Sequence, residues 1–99
     1  MKKSDKKIEK AIISQLTDVC EETLKTDIGF EWLTHTVNYN RFPASLKVIC
    51  VFDRKHHLAK SLGDGTDKIL MEKIKQKLAS IDVKLVNAKK QIFFDCEED

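Results

Sequence analysis

The chain has 99 residues, with 18 Lys and Arg against 16 Asp and Glu for a formal net charge of +2; apolar residues make up 41%, charged residues 34%, with three Gly and one Pro. This length excludes two ordinary domains, and the apolar content with so little Gly and Pro excludes intrinsic disorder. No apolar run approaches the roughly 20 residues that a bilayer-spanning helix needs.

From the N-terminus, residues 1–7 are basic, but no apolar segment follows, so no secretory leader is expected. A helix is expected over about residues 5–27. Ser4 or Asp5 supplies its N-cap, and Ile8, Ala11, Ile12, Leu16, Val19, Cys20 and Leu24 form a stripe at steps of three and four. Gly29 suits its C-terminal cap. At Phe30 the period changes to two: Phe30, Trp32, Thr34 and Thr36 share one side of a strand, and Glu31, Leu33, His35 and Val37 the other. Asn38 to Ala44, which holds the single Pro, reads as a turn. Ser45 to Asp53 is a second strand, apolar on both faces through Leu46, Val48, Cys50 and Phe52 on one and Ile49 and Val51 on the other. Such a strand belongs in the middle of a sheet, hairpin-paired to the first.

A short helix is expected after Asp53, with Leu58, Ala59 and Leu62 apolar and Gly63 ending it. Gly63-Asp64-Gly65 is the strongest breaker, and Thr66 or Asp64 then caps a helix with Ile69, Leu70, Ile74, Leu78 and Ile81 inward. Val83 to Val86 and Gln91 to Asp95 read as two short strands joined by a turn over Asn87 to Lys90. The tail Asp95-Cys96-Glu97-Glu98-Asp99 carries four negative charges, which leaves +6 on residues 1–94.

These elements predict a single α+β domain over 1–99, with a basic end (1–7) and an acidic tail (95–99). Its order is α-β-β-α(short)-α-β-β, a two-layer sandwich with helices on one face of a mostly antiparallel four-stranded sheet. With the short helix formed, the first six elements follow the order of the type II KH domain; with only a turn there, the order is that of a circularly permuted ferredoxin-like sandwich.

Few residues carry recognisable chemistry. Tyr39, Arg41 and Phe42 place two aromatics and a guanidinium on a loop, a set suited to stacking on bases or anchoring a protein partner; alternatively, the two rings fold back over the end of the sheet. A KH domain clamps nucleic-acid backbone with a GxxG loop between two helices. Here that place holds Gly63-Asp64-Gly65-Thr66, a GxG with a phosphate-repelling Asp, flanked by Lys60 and Lys68. Asp53, His56 and His57 are the candidate metal ligands, with Asp53 and His57 four apart, but a third or fourth convergent ligand is not visible, so neither metal nor cofactor is expected. Cys20, Cys50 and Cys96 form no CxxC pair and no disulfide framework, and are expected as reduced thiols of a cytoplasmic protein. No nucleophile elbow, Walker loop or zinc-protease motif is present, so an enzyme is not expected. If Trp32 faces away from the helices, it makes the open sheet face with Thr34 and Thr36 a contact surface.

The run Phe30-Glu31-Trp32-Leu33-Thr34-His35-Thr36-Val37-Asn38-Tyr39-Asn40-Arg41-Phe42-Pro43, continued by Ser45-Leu46 and Val48-Ile49-Cys50-Val51-Phe52-Asp53, resembles a family of small uncharacterised gammaproteobacterial proteins. Members are sometimes labelled Fis-type transcriptional regulators. Such a regulator ends in a basic helix-turn-helix, whereas this C-terminus reads as a strand pair with an acidic tail. The resemblance implies a bacterial cytoplasmic protein and carries over no site residue.

The expected function is therefore a non-enzymatic binding or adaptor module that acts on a protein partner through a sheet face or the Tyr39–Phe42 loop. The alternative is a KH-like RNA- or DNA-binding regulator that uses Arg41, Lys60, Lys68 and the basic end. A small enzyme around His56 and His57 stands third. No membrane association is expected, and a homodimer through the outer strand of the C-terminal hairpin is open.

Overall fold

Ile12, Leu16 and Val19 stand at helical spacing and are buried, which fixes the inward side of the first helix, α1 (Lys3–Leu24). The computed structural model describes residues 3–98, with side chains from Asp5 onward. The parts of the basic end and acidic tail at Met1, Lys2 and Asp99 lie outside the described residues. Ser4 and Asp5 both lie within α1, where Asp5 places a carboxylate in the first turn and complements the helix dipole. The helix ends at Leu24, earlier than expected; Asp27 then takes φ 52° and Gly29 φ 85° to turn the chain into the sheet.

Strand β1 (Phe30–Thr36) pairs antiparallel with β2 (Lys47–Phe52). The link holds one turn of 3-10 helix at Tyr39–Arg41, where the Asn38 side chain accepts from the Asn40 amide. A bulge between Phe30 and Trp32 shifts the register. Phe30 therefore enters the core against Phe52, ring centroids 6.0 Å apart and nearly perpendicular, while Trp32 faces out. The period-two reading put both on one side; the extra residue at the bulge separates them.

Next come α2 (Lys55–Asp64) and α3 (Thr66–Ala79), two full helices joined at Gly65. Leu70, Ile74 and Leu78 bury the inner side of α3. The single turn α4 (Ala88–Gln91) leads into β3 (Ile92–Cys96). The sheet has three strands in the order β1-β2-β3, with β3 parallel to β2. This corrects the expected four-stranded, mostly antiparallel sheet. Residues 83–86 form no strand and residues 87–90 no hairpin turn. The Val83 amide is instead taken by Leu78 O at 2.9 Å as the chain leaves α3, and Val83 is buried in the core. A chain tied to a helix end in this way cannot also run along the sheet edge. The C-terminal hairpin through which a homodimer was left open is not formed.

Val48, Cys50, Phe52 and Ile92 turn inward and join Ile12, Leu16, Val19, Leu70, Ile74 and Leu78 in one apolar cluster. α1 and α3 thus cover the same face of a small α+β domain, with Leu58 of α2 packed against the cluster, and burial of each large side chain contributes about 1.5–3 kcal/mol. Gln91 pins the layers together from a buried position. Its amide nitrogen donates to Pro43 O at 2.9 Å and Leu46 O at 3.0 Å, and its oxygen accepts from the Asn87 amide at 2.7 Å. Among the described residues, no helix is long and apolar enough to cross a membrane.

Candidate functional site

Of the loop residues singled out above, two are turned inward. The Tyr39 hydroxyl donates to Glu9 Oε2, and the other carboxylate oxygen of Glu9 lies 2.6 Å from His35 Nε2. These bonds hold the Glu9 carboxyl below its ordinary value, the Tyr39 bond most strongly, while burial pushes the Tyr39 hydroxyl up. Tyr39 and Phe42 rings lie 5.7 Å apart, and Phe42 packs on the core. Only Arg41 of the three is exposed. The aromatics close the end of the domain and present no flat platform for bases.

Asp53 and His57 come together as their spacing implies, with Oδ1 2.5 Å from Nδ1. That bond lowers the Asp53 carboxyl and consumes one ligand atom of each residue. The His56 ring lies 4.2 Å from that of His57, tilted by 50°, and is itself exposed. Among the described residues, no three His, Cys, Asp or Glu side chains converge on a metal position. Cys50 is buried, and its thiol is pushed up to about 12, far from the thiolate range that nucleophilic chemistry needs.

Lys60 on α2 and Lys68 on α3 flank the joint at Gly65, both exposed. The loop differs from the expected one. Gly63 is helical, within α2, and only Gly65 is left-handed, at φ 87°. Asp64 Oδ1 accepts from the Thr66 amide at 3.0 Å and the Thr66 hydroxyl at 2.6 Å, which holds the carboxyl below its ordinary value. A fixed negative charge thus stands at the tip of the turn.

A concavity lies elsewhere, between α3 and β3. It encloses about 800 Å³. Met71, Leu85, Ile92 and Phe94 make its apolar floor, and Lys68, Lys75 and Lys89 stand at its sides with Asp67 and Glu72. The Oδ1 atom of Asp67 is buried there without a hydrogen-bond partner. One wall is the free edge of the sheet. The Glu97 amide bonds Phe52 O at 2.9 Å; because only alternate residues of a parallel strand bond one neighbour, the N–H and C=O of Phe94 point outward. Sequence reading missed this groove because it placed a strand at 83–86, which would have covered the edge. Only Lys68 was already singled out. The usable signal was the lone Met71 among the polar residues of α3.

Among the described residues, no helix packs on the opposite face of the sheet. Trp32 and Phe93 are 43% and 41% exposed there, beside Thr34, Thr36, Ile49 and Val51. Trp32 Nε1 donates to Glu97 Oε1 at 2.7 Å. Comparison of the chain with protein-family models, with curated proteins and with solved structures finds no match.

Proposed function

We propose that this chain is a non-enzymatic binding module that takes an extended segment of a protein partner along the free edge of β3. The peptide adds a fourth strand, and alternate side chains enter the groove beside α3. The observation that carries this reading is the coincidence of an open strand edge with an apolar groove of about 800 Å³ floored by Met71, Leu85, Ile92 and Phe94. Three lysines against two carboxylates at its sides favour a peptide with apolar residues at alternate positions and at least one Glu or Asp between them. Three free thiols suit a reducing, cytoplasmic setting.

The test is a positional-scanning library of fluorescein-labelled decapeptides with Val, Ile or Leu at alternate positions, read by polarisation and by amide NMR shifts. Binding should move the amides of Phe94, Met71 and Leu85. Val86→Asp and Lys68→Glu, both at exposed sites, should each weaken it about tenfold, roughly 1.4 kcal/mol. A library in which no peptide moves those amides overturns the reading.

One observation favours a second reading. The element order α-β-β-α-α-β, with the one-turn α4 before the last strand, is that of the type II KH domain, and Gly65 with Lys60 and Lys68 stands where such a domain grips phosphates. The charges of Asp64, Asp67 and Glu72 on the same side weigh against it. Single-stranded RNA and DNA pools decide: binding that fades steeply with salt and is lost in Lys60→Glu and Lys68→Glu replaces the peptide reading with this one.

A further inference from the structure

The outer face of the sheet is a second surface, independent of the groove. Its residues form rows across the strands. Thr36 stands opposite Lys47; Thr34, Ile49 and Phe93 form the middle row; Trp32, Val51 and Asp95 form the row beyond. The apolar centre is thus rimmed by hydroxyls at one side, by Lys47 at one end, and at the other by Asp95 and by Glu97, which bonds Trp32. Trp32 and Phe93 remain 43% and 41% exposed. Lys47 and Asp95 take part in no ion pair among the described residues.

We infer that this face packs on the same face of a second copy of the chain, through a two-fold axis that lies between the sheets and across the strands. Such an axis reverses strand direction, so it lays the Lys47 row of one copy over the row of Trp32, Val51 and Asp95 of the other. Lys47 then stands over the second copy's Val51, with that copy's Asp95 one strand aside, about 4.8 Å, within reach of the long lysine stem, and the contact is made twice. The middle row meets itself, with Phe93 and Ile49 closing the centre and Thr34 at its side. An axis along the strands would set Lys47 against Lys47, which like-charge repulsion disfavours. Two aligned three-stranded sheets packed in this way make a β-sandwich with an apolar layer about 10 Å thick. Charge and apolar pattern are complementary to themselves under a single operation, which selects a second copy over an unrelated partner.

Sedimentation equilibrium over a wide concentration range tests the inference on the full chain, with circular dichroism as the folding control. The wild type should associate to a dimer. Phe93→Lys should fold and weaken association at least tenfold. Lys47→Asp and Asp95→Lys should each weaken it, and the double reversal should restore it towards the wild-type constant. A wild type that stays monomeric at every concentration overturns the inference. So does a Phe93→Lys dimer of unchanged strength, or charge reversals whose losses add in the double variant instead of cancelling.

Discussion

Trp32 and Glu97 are joined across the full width of the sheet: the indole Nε1, carried by one edge strand, donates at 2.7 Å to a carboxylate just past the other. Trp32 stands opposite Val51, and Val51 opposite Asp95, so the bond spans the central strand. Val51 is 5% exposed although no helix covers it, which is the mark of the indole lying across it. Trp32 is the only tryptophan, and its fluorescence therefore reports this contact alone. Glu97→Ala should red-shift the emission and raise acrylamide quenching, at a stability cost near 1 kcal/mol. Glu97→Gln keeps an acceptor oxygen and should stay close to the wild type. Unchanged quenching in Glu97→Ala would show that the ring is held by packing alone.

The three glycines should separate cleanly on substitution by Ala. Gly63 is helical with nothing within 4 Å of an added Cβ, so Gly63→Ala should stabilise by about 0.5–1 kcal/mol. Gly65 has equal space but φ 87°, and Gly65→Ala should cost about 1–2 kcal/mol. At Gly29 the added carbon would stand 2.4–2.6 Å from atoms of His57, on a backbone with φ 85°. Overpacking adds about 1–3 kcal/mol to the backbone strain. His57→Ala in the same chain removes the ring but keeps a Cβ 2.6 Å from the added carbon, so it should recover only part of the overpacking and leave the strain. Urea unfolding of the four variants measures all of this, and equal effects at Gly63 and Gly65 would refute the assignment of the joint to Gly65.

Gln91 ties the link before β2 to the turn before β3 through three carbonyls, Pro43 O, Ala44 O and Leu46 O, at 2.9, 3.3 and 3.0 Å. Gln91→Glu replaces the donating nitrogen by an oxygen facing those acceptors, and should cost more than Gln91→Ala. Values of about 2–4 kcal/mol are expected, because buried carbonyls lose their donor. A Glu variant as stable as the wild type would mean that water takes over the amide's bonds.

Gln91 also marks the boundary of what could be read without the structure. α1, α3 and β2 were legible because each buries one periodic face: Ile12, Leu16 and Val19 in α1, Leu70, Ile74 and Leu78 in α3, Val48, Cys50 and Phe52 in β2. The short helix expected on Leu58, Ala59 and Leu62 forms as α2, but it buries only Ser61 and leaves Leu62 49% exposed. The end of the chain was not legible. Val83 to Val86 have strand-forming residues, yet Val83 is captured by the end of α3, a tertiary event that overrides local propensity. Missing it concealed the free edge and hence the groove. The pairing of Asp53 with His57 was legible from a four-residue spacing; the Glu9–His35 and Glu9–Tyr39 bonds, across 26 and 30 residues, carry no local signal at all.

Those Glu9 bonds give the domain a stability that falls on both sides of neutrality. The Glu9 carboxyl is held below its ordinary value of 4.5, by Tyr39 first and by His35; its contribution is therefore present above that value and lost as pH falls through the lower folded one. The Tyr39 hydroxyl is raised above its ordinary value of 10.0, by burial first and then by Glu9. Its contribution is present below that value and is lost as pH rises past it. Tyr39→Phe removes the donor, so it should lower stability near neutrality by roughly 1–2 kcal/mol, shrink the acid loss as Glu9 returns towards its ordinary value, and flatten the alkaline loss. Part of the alkaline loss should persist, since the Cys50 thiol, pushed up to about 12, acts in the same direction. Tyr39 is the only tyrosine, so its phenolate absorbance can be followed directly, beside urea unfolding at a series of pH values. Phenolate that appears at the pH of a free tyrosine while the chain is still folded would show that Glu9 and Tyr39 are not bonded in solution.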